Sequence, residues 1–256
     1  MRAILFLVCM LPVVAWAEGS GYVRIPEGRF ATALKYEDAR GQARIAPFEI
    51  MRRPVTNAEF LAFVKEHPAW RRDRVAPVFA GADYLAHWEA PARHAPRAQA
   101  AQPVTRVSWY AANAYCEAQH ARLPRWIEWE YVAAADATRR DARRDPAWRE
   151  RILEWYARPS TGELPRVGTD APNAYGVQDL HGVVWEWTDD YSALLVSADS
   201  REQGDPDRNR FCGAGALAVD DPEHYAVLMR VAMLSSLEGS DTTRNLGFRC
   251  VREIVR

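Results

Sequence analysis

The regular elements that the sequence predicts are all short, and this limits the folds open to the chain more than any other feature. Strand-like runs cover only four to seven residues each, and stretches rich in turn-forming residues separate them. These runs are Tyr22–Ile25, Ile45–Ile50, Val227–Met233 and Gly247–Val251. The sequence shows no internal repeat. Short strands, few helices and abundant loops together predict a single irregular α+β domain.

Two helix starts are marked by their capping residues. Thr56 and Glu59 form a capping-box pattern that predicts a helix over Asn57–His67. Ser108 is placed to cap a second helix that carries Tyr115 inward. Two further helices are predicted, one around Glu128–Val132 with Pro124 near its start and one from Asp145 to Tyr156.

The charge composition excludes one class of partner. The chain has 33 Lys and Arg against 34 Asp and Glu, a formal net charge of −1. A nucleic-acid binder that relies on overall positive charge needs a strongly basic balance, which is absent here. We therefore expect no nucleic-acid partner.

The first residues have the pattern of an export signal. Arg2 precedes an apolar run over Ala3–Val14, and Ala15-Trp16-Ala17 places small residues where a signal peptidase cleaves, just before Glu18. The run is too short to span a bilayer comfortably. The sequence thus predicts a signal peptide over residues 1–17 and a mature domain over 18–256. We expect a periplasmic or secreted protein with no stable membrane anchor.

The cysteine count is odd after removal of this segment. Loss of Cys9 leaves Cys116, Cys212 and Cys250. In an oxidising compartment, three cysteines suggest one disulfide and one free, buried or metal-bound thiol. The sequence alone leaves all three pairings open.

Three stretches carry most of the chemical information in the sequence. They are Pro103–Tyr131, with its Ser108-Trp109-Tyr110 and Arg122-Leu123-Pro124 motifs; Asn173–Trp187, which ends in Trp185-Glu186-Trp187; and Asn245-Leu246-Gly247-Phe248-Arg249-Cys250. In this order and spacing they resemble the formylglycine-generating enzyme, or sulfatase-modifying factor, family. The resemblance spans nearly the whole mature chain. It implies one loop-rich domain with a variant of the C-type lectin fold.

The segment from Asp179 to Glu186 is a candidate calcium site. Two carboxylates seven residues apart, with Gly182 allowing a sharp turn, can bring carboxylate and main-chain oxygens around one hard cation. Spacing alone favours a plain turn followed by a Trp-rich core strand. The resemblance favours calcium, with side-chain oxygens from Asp179 and Glu186 and main-chain oxygens from Gly182 and Val184. His181, within this motif, is interpreted as a surface or supporting residue rather than a catalytic base.

The resemblance also implies one disulfide. It pairs a helix cysteine like Cys116 with the cysteine that ends the third motif, Cys250. Cys212 is then left without a cysteine partner.

The catalytic cysteines of the family are the clearest departure. Aerobic formylglycine-generating enzymes are expected to bind Cu(I) through two cysteines five residues apart, because thiolates suit that soft ion. Counting back from Cys250, the equivalent positions are Asp221 and Ala226, and neither can supply a thiolate. The sequence therefore predicts that this protein does not generate formylglycine by the copper-thiolate route.

A different set of soft ligands lies nearby. Cys212, His224 and Met229 provide a thiolate, an imidazole and a thioether, which together form a candidate copper(I) or electron-transfer set. The alternative interpretation is a buried cysteine, an exposed loop histidine and a core methionine.

Three functions remain open at this point. The first is an accessory or maturation factor for an exported redox or copper enzyme, as in the branch of the family that accompanies copper nitrite reductases. The second is a lectin-like module that binds a protein or a glycan, since fold does not fix function. The third is an oxidase or oxygenase acting on a peptide or a siderophore-type substrate, with Trp185, Arg230 or Arg249 lining its pocket.

Overall fold

Three short antiparallel strands bring the two ends of the described chain together. The computed structural model describes residues 21–32, 42–94, 97–158, 162–193 and 225–254. Strands β1 (Tyr22–Ile25), β4 (Phe48–Met51) and β7 (Val251–Glu253) form one sheet in the order β1-β4-β7. Val23 pairs with Ile50, and Ile50 pairs with Val251 on its other side.

Two smaller sheets complete the β structure of the described ranges. Strands β2 (Gly28–Ala31) and β3 (Gln42–Ile45) pair antiparallel. Strands β5 (Trp185–Glu186) and β6 (Leu246–Gly247) pair in parallel. Gly247 lets the main chain of Val104 approach β6 closely, because a Cβ atom at Gly247 would lie 2.7 Å from the Val104 carbonyl oxygen.

Two of the predicted strands are interrupted. The predicted run Ile45–Ile50 is wrong as one strand, since β3 ends at Ile45 and β4 begins at Phe48. Pro47, between them, has no N–H to donate to a ladder. The run Gly247–Val251 is likewise divided between β6 and β7.

The predicted helix caps are confirmed. Helix α1 (Asn57–Glu66) begins with a complete capping box between Thr56 and Glu59. Helix α2 (Trp109–Ala118) begins at Ser108, whose side chain accepts a hydrogen bond from the Ala111 N–H.

The remaining α-helices of the described ranges are α3 (Trp126–Ala133), α4 (Pro146–Ala157) and α5 (Tyr225–Ser235). Helix α4 was predicted within one residue at either end. Helix α5 overturns the predicted strand Val227–Met233. Its inward face carries Val231 and Leu234 at helical spacing, together with the buried Arg230.

Short 3₁₀ helices cover Pro68–Trp70, Arg97–Ala101 and Tyr191–Ala193. No helix in the described part of the chain combines the length and apolar character needed to cross a bilayer.

One aromatic-rich core joins these elements. The ring of Phe60 from α1 packs against Phe63, Tyr115 and Phe248, with centroid distances of 5.3–6.0 Å. A disulfide joins Cys116 in α2 to Cys250 just before β7, with 5.6 Å between their Cα atoms. This is the pair that the family resemblance implies.

Candidate functional site

Glu186 and Arg249 form an ion pair at the centre of the molecule. Both side chains have zero exposure, and Arg249 Nη2 lies 2.7 Å from Glu186 Oε1. The other carboxylate oxygen accepts hydrogen bonds from Arg249 Nε and from the Trp129 indole N–H. Arg249 also donates to the main-chain oxygens of Met51, Arg52 and Gln178. The prediction that Arg249 lines a pocket is wrong, because its guanidinium is used in holding core segments together.

Arg230 is a second buried cation beside this pair. Its guanidinium carbon lies 3.5 Å from the centre of the Trp129 ring, and Nη2 donates to the Glu186 carbonyl oxygen. Nε and Nη1 have no hydrogen-bond partner among the described residues. Burial lowers the pKa of Arg230 to about 10, opposed by the nearby Tyr156 and Glu186. The cation is therefore stabilised largely by an aromatic face instead of a carboxylate of its own.

The turn that precedes β5 contains the other predicted calcium ligands. Asp179 and Gly182 both have positive φ, +60° and +98°. Asp179 Oδ2 accepts a hydrogen bond from the Gly168 N–H, while Oδ1 is buried and has no partner among the described residues. Burial raises the pKa of the Asp179 carboxyl.

Two observations bear on whether calcium fits this turn. An unpartnered buried oxygen on Asp179 is what a carboxylate ligand presents to a hard cation. Glu186 differs, because Arg249 already neutralises its charge. Glu186 Oε2 already accepts two hydrogen bonds, so only Oε1 keeps a second lone pair that could coordinate a metal. Among the predicted ligands, Asp179 thus fits a calcium ion best, because its buried Oδ1 has no partner among the described residues.

His181 points from the same turn toward the interior. Its ring packs edge-on against Trp129 and Trp148, at centroid distances of 5.5 and 5.7 Å. Nε2 donates to the Ala133 carbonyl oxygen, which fixes the tautomer and leaves Nδ1 as a buried acceptor without a partner. Burial lowers the pKa of His181 to about 4. The ring is therefore neutral at ordinary pH.

A cleft of about 430 Å³ opens beside β5. One wall is aromatic and consists of Trp155 and Tyr156 from the end of α4 and Trp185 from β5. The Tyr156 and Trp185 rings are 4.9 Å apart, and those of Trp155 and Trp185 are 5.5 Å apart. Trp185 lines the cleft together with Trp155 and Tyr156. We call this space the aromatic cleft. Its volume is in the range of sites that hold small molecules or short chain segments.

The rest of the cleft lining is mixed, with charged and polar residues beside Leu164, Pro165 and Val183. Its charged lining residues are Arg106, Arg158, Arg244 and Glu163. The Gln102 side chain donates to the Leu164 carbonyl oxygen and so attaches one rim of the cleft to the 3₁₀ helix that ends at Ala101.

His87 also lines the cleft. Burial, with the positive charges of Arg106 and Arg72, lowers the pKa of His87 to about 4. Nε2 faces Asn57 Oδ1 at 3.2 Å, which makes Nε2 the donor. His87 Nδ1 and Gln99 Oε1, both from cleft-lining residues, are buried acceptors with no partner among the described residues.

The described part of the chain does not bring the three candidate copper ligands together. Met229 is 42% exposed on α5, which overturns its interpretation as a core residue, and it points away from the buried Arg230 beside it. Cys212 and His224 lie outside the described residues. Within the described ranges, no group of three or more His, Cys, Asp or Glu side chains is arranged to hold a metal ion.

Sequence reasoning missed much of the cleft. Trp155, Arg158, His87 and Gln99 were not singled out, because no motif in the sequence indicates that the segments containing them come together. The adjacent Trp155-Tyr156 pair at a predicted helix end was the available signal, since large aromatic side chains there must either pack or line a surface site.

Comparison with known proteins gives consistent results. The family model of the sulfatase-modifying factor enzyme 1-like domain matches residues 13–254. The chain is 31% identical to the formylglycine-generating enzyme of Streptomyces coelicolor, with 91% of this chain and 89% of that protein covered. It is 29% identical to the mouse protein named inactive C-alpha-formylglycine-generating enzyme 2, with 98% and 91% covered. It is 31% identical to hercynine oxygenase of Mycolicibacterium smegmatis, but this covers 56% of the chain and 37% of that protein.

Proposed function

Because the chain belongs to the sulfatase-modifying factor family, we propose that it is an exported accessory factor that binds a segment of another protein in the aromatic cleft, without generating formylglycine. The observation that carries this proposal is the pairing of an intact family scaffold with missing copper ligands. Asp221 and Ala226 stand where two thiolates would be needed. The chain is also similar to a protein named inactive C-alpha-formylglycine-generating enzyme 2. That similarity supports a family domain that functions without generating formylglycine.

The cleft supports a binding role by its shape and lining. Trp155, Tyr156 and Trp185 offer a large apolar wall, and Arg158 and Glu163 offer charged groups at the rim. Aromatic anchors surrounded by polar groups are the usual composition of a protein-recognition site. The site therefore suits a short chain segment with at least one apolar side chain.

A redox or copper enzyme is the partner that we propose. The support is the soft-ligand content of the chain at Cys212, His224 and Met229. Metal analysis of protein purified under reducing conditions tests it. Stoichiometric copper that is lost in Cys212→Ala supports the metal role. If the protein contains no copper and the Cys212→Ala variant behaves normally, the copper role is wrong and the partner is of another kind.

Calcium is a second part of the proposal. Asp179, with the main-chain oxygens of Gly182 and Val184, would hold the ion, and Glu186 would share its carboxylate with Arg249. When bound, the ion would fix the turn that leads into Trp185. We expect 1 mM Ca²⁺ to raise the melting temperature over that in EDTA, and Asp179→Asn to abolish the rise. An equal rise with Mg²⁺, or a full rise in Asp179→Asn, would contradict calcium binding at this turn.

Site-specific photocrosslinking tests the accessory role. A benzophenone amino acid at Arg158, on the cleft rim, should give one discrete crosslinked product in the native host. The matched control is the same amino acid at Arg29, an exposed residue of β2 that does not line the cleft. Trp185→Ala, checked for an unchanged melting temperature, should remove the product. Equal yields at both positions, or no product at Arg158, would contradict the proposal.

A glycan is the second candidate ligand, favoured by the indole faces of Trp155 and Trp185. Saturable binding of neutral oligosaccharides that is lost in Trp185→Ala would support it. The oxidase alternative has less support, because the described residues provide no set of three metal-ligating side chains and the oxygenase similarity covers only 37% of that protein.

A further inference from the structure

From the charges around the aromatic cleft, we infer that the segment recognised there is an acidic peptide that carries an aromatic or large apolar side chain. This inference rests on the proposed function and specifies the chemistry of the partner.

The cleft is positive within a chain that is nearly neutral. Three arginines and one glutamate line it, whereas the chain as a whole has a net charge of −1. Arg106 forms an ion pair with Asp83 at 3.0 Å, but Asp83 is 70% exposed and reaches Arg106 from the solvent side. Arg158 has no ion pair with a described residue, and walls of low dielectric concentrate its positive field in the cleft. A ligand that carries carboxylates is therefore attracted to it.

Arg158 is the arginine best placed to act on a ligand. It lies at the end of α4, next to the Trp155-Tyr156 wall, and is exposed. Its guanidinium has no hydrogen bond or ion pair with any described residue. An arginine that is not already paired can form a bidentate contact with a ligand carboxylate.

The aromatic wall of the cleft favours a peptide over a simple anion. Trp155, Tyr156 and Trp185 line the cleft with aromatic rings. These rings pack well against a flat apolar side chain, which an inorganic anion or a carboxylate alone does not offer.

Fluorescence anisotropy with designed peptides tests this inference. The probe is a fluorescein-labelled octapeptide with one tryptophan flanked by four glutamates. Comparison peptides replace the glutamates with glutamine or the tryptophan with alanine. At 50 mM NaCl we expect the glutamate peptide to bind about tenfold tighter than the glutamine peptide, and we expect this preference to shrink at 500 mM NaCl because salt screens exposed charges.

Two charge-reversal variants on the same helix give a matched control. Arg158→Glu should weaken binding of the glutamate peptide about tenfold. Arg151→Glu changes the net charge equally, but Arg151 does not line the cleft, so its effect should be about twofold at most. Equal affinity for the glutamate and glutamine peptides, or equal effects of the two variants, would overturn the inference. Binding of a sulfated oligosaccharide in place of all peptides would overturn it too.

The two failures can be told apart. A specific crosslink at Arg158 without any preference for acidic peptides would remove only the charge preference. Failure of the crosslink would remove the accessory function and this inference together.

Discussion

At the scale of single residues, the centre of the molecule depends on charged side chains that water does not reach. Glu186 accepts from Arg249 and Trp129 through its carboxylate and from Arg230 through its main chain. These contacts join β5, α3, α5 and the segment before β7. The segment from Asp179 to Glu186, whose sequence suggests a set of metal ligands, thus also supplies a hydrogen-bonded centre of the fold.

Removing the charge of Glu186 should strongly destabilise the protein. Glu186→Gln leaves Arg249 buried without its counter-ion, which typically costs about 3–5 kcal/mol. Urea denaturation measures the change in the free energy of unfolding. Asp73→Asn is the control, because Asp73 and Arg71 form a partly exposed pair that should contribute less than about 1 kcal/mol. A loss below 1 kcal/mol in Glu186→Gln would contradict the buried ion pair.

His181 should make stability depend on pH on the acid side. Its pKa is about 4 in the fold against 6.5 as the ordinary value. Between these values the unfolded chain binds a proton that the folded chain does not, so stability falls as pH drops from about 6.5 to 4. His181→Gln should lose less stability than the wild type over this window. Parallel stability-versus-pH curves from urea denaturation would show that His181 does not contribute.

The sequence allowed some site residues to be predicted and concealed others. Asp179, Gly182, Trp185 and Glu186 lie in one motif, so their proximity follows from local spacing. Arg230 and Arg249 were expected to line the family's pocket. Arg249 instead pairs with the Glu186 carboxylate, and Arg230 contacts the Trp129 ring and the Glu186 main chain. Sequence spacing does not reveal these contacts between distant segments.

At the scale of elements, capping chemistry was the most dependable guide. Thr56, Ser108 and Asp145 each cap the helix that follows, because a short polar side chain satisfies N–H groups that the first turn leaves free. Helix α5 was mistaken for a strand because Val227 and Val231, like other β-branched residues, favour extended structure. The polar Arg230 on its inward face interrupted the apolar stripe that would have shown the helical period.

The disulfide between α2 and β7 should contribute substantially to stability. It links residues 134 positions apart, and loss of a native disulfide typically costs about 2–5 kcal/mol. We expect the double variant Cys116→Ala, Cys250→Ala to lose stability in this range. Wild-type protein refolded in a reducing agent should match it. Wild-type stability that is unchanged after reduction and refolding would contradict the pairing.

At the scale of the whole molecule, the chain combines the domain of the sulfatase-modifying factor family with an aromatic cleft, while Asp221 and Ala226 stand at the copper-thiolate positions that the resemblance assigns. The sequence was sufficient to predict the family, from its three motif segments, and the α+β class. It could not predict the cleft, which forms only when α4, β5 and the loops around His87 and Arg244 come together.

We predict above all that this domain does not make formylglycine. The direct measurement is mass spectrometry of a sulfatase-type cysteine peptide after incubation with the pure protein, Cu(I) and O₂, with an active family member as the positive control. Since Asp221 and Ala226 cannot bind Cu(I) as thiolates, we predict no formylglycine above the enzyme-free background. Turnover of the peptide to formylglycine would contradict the account.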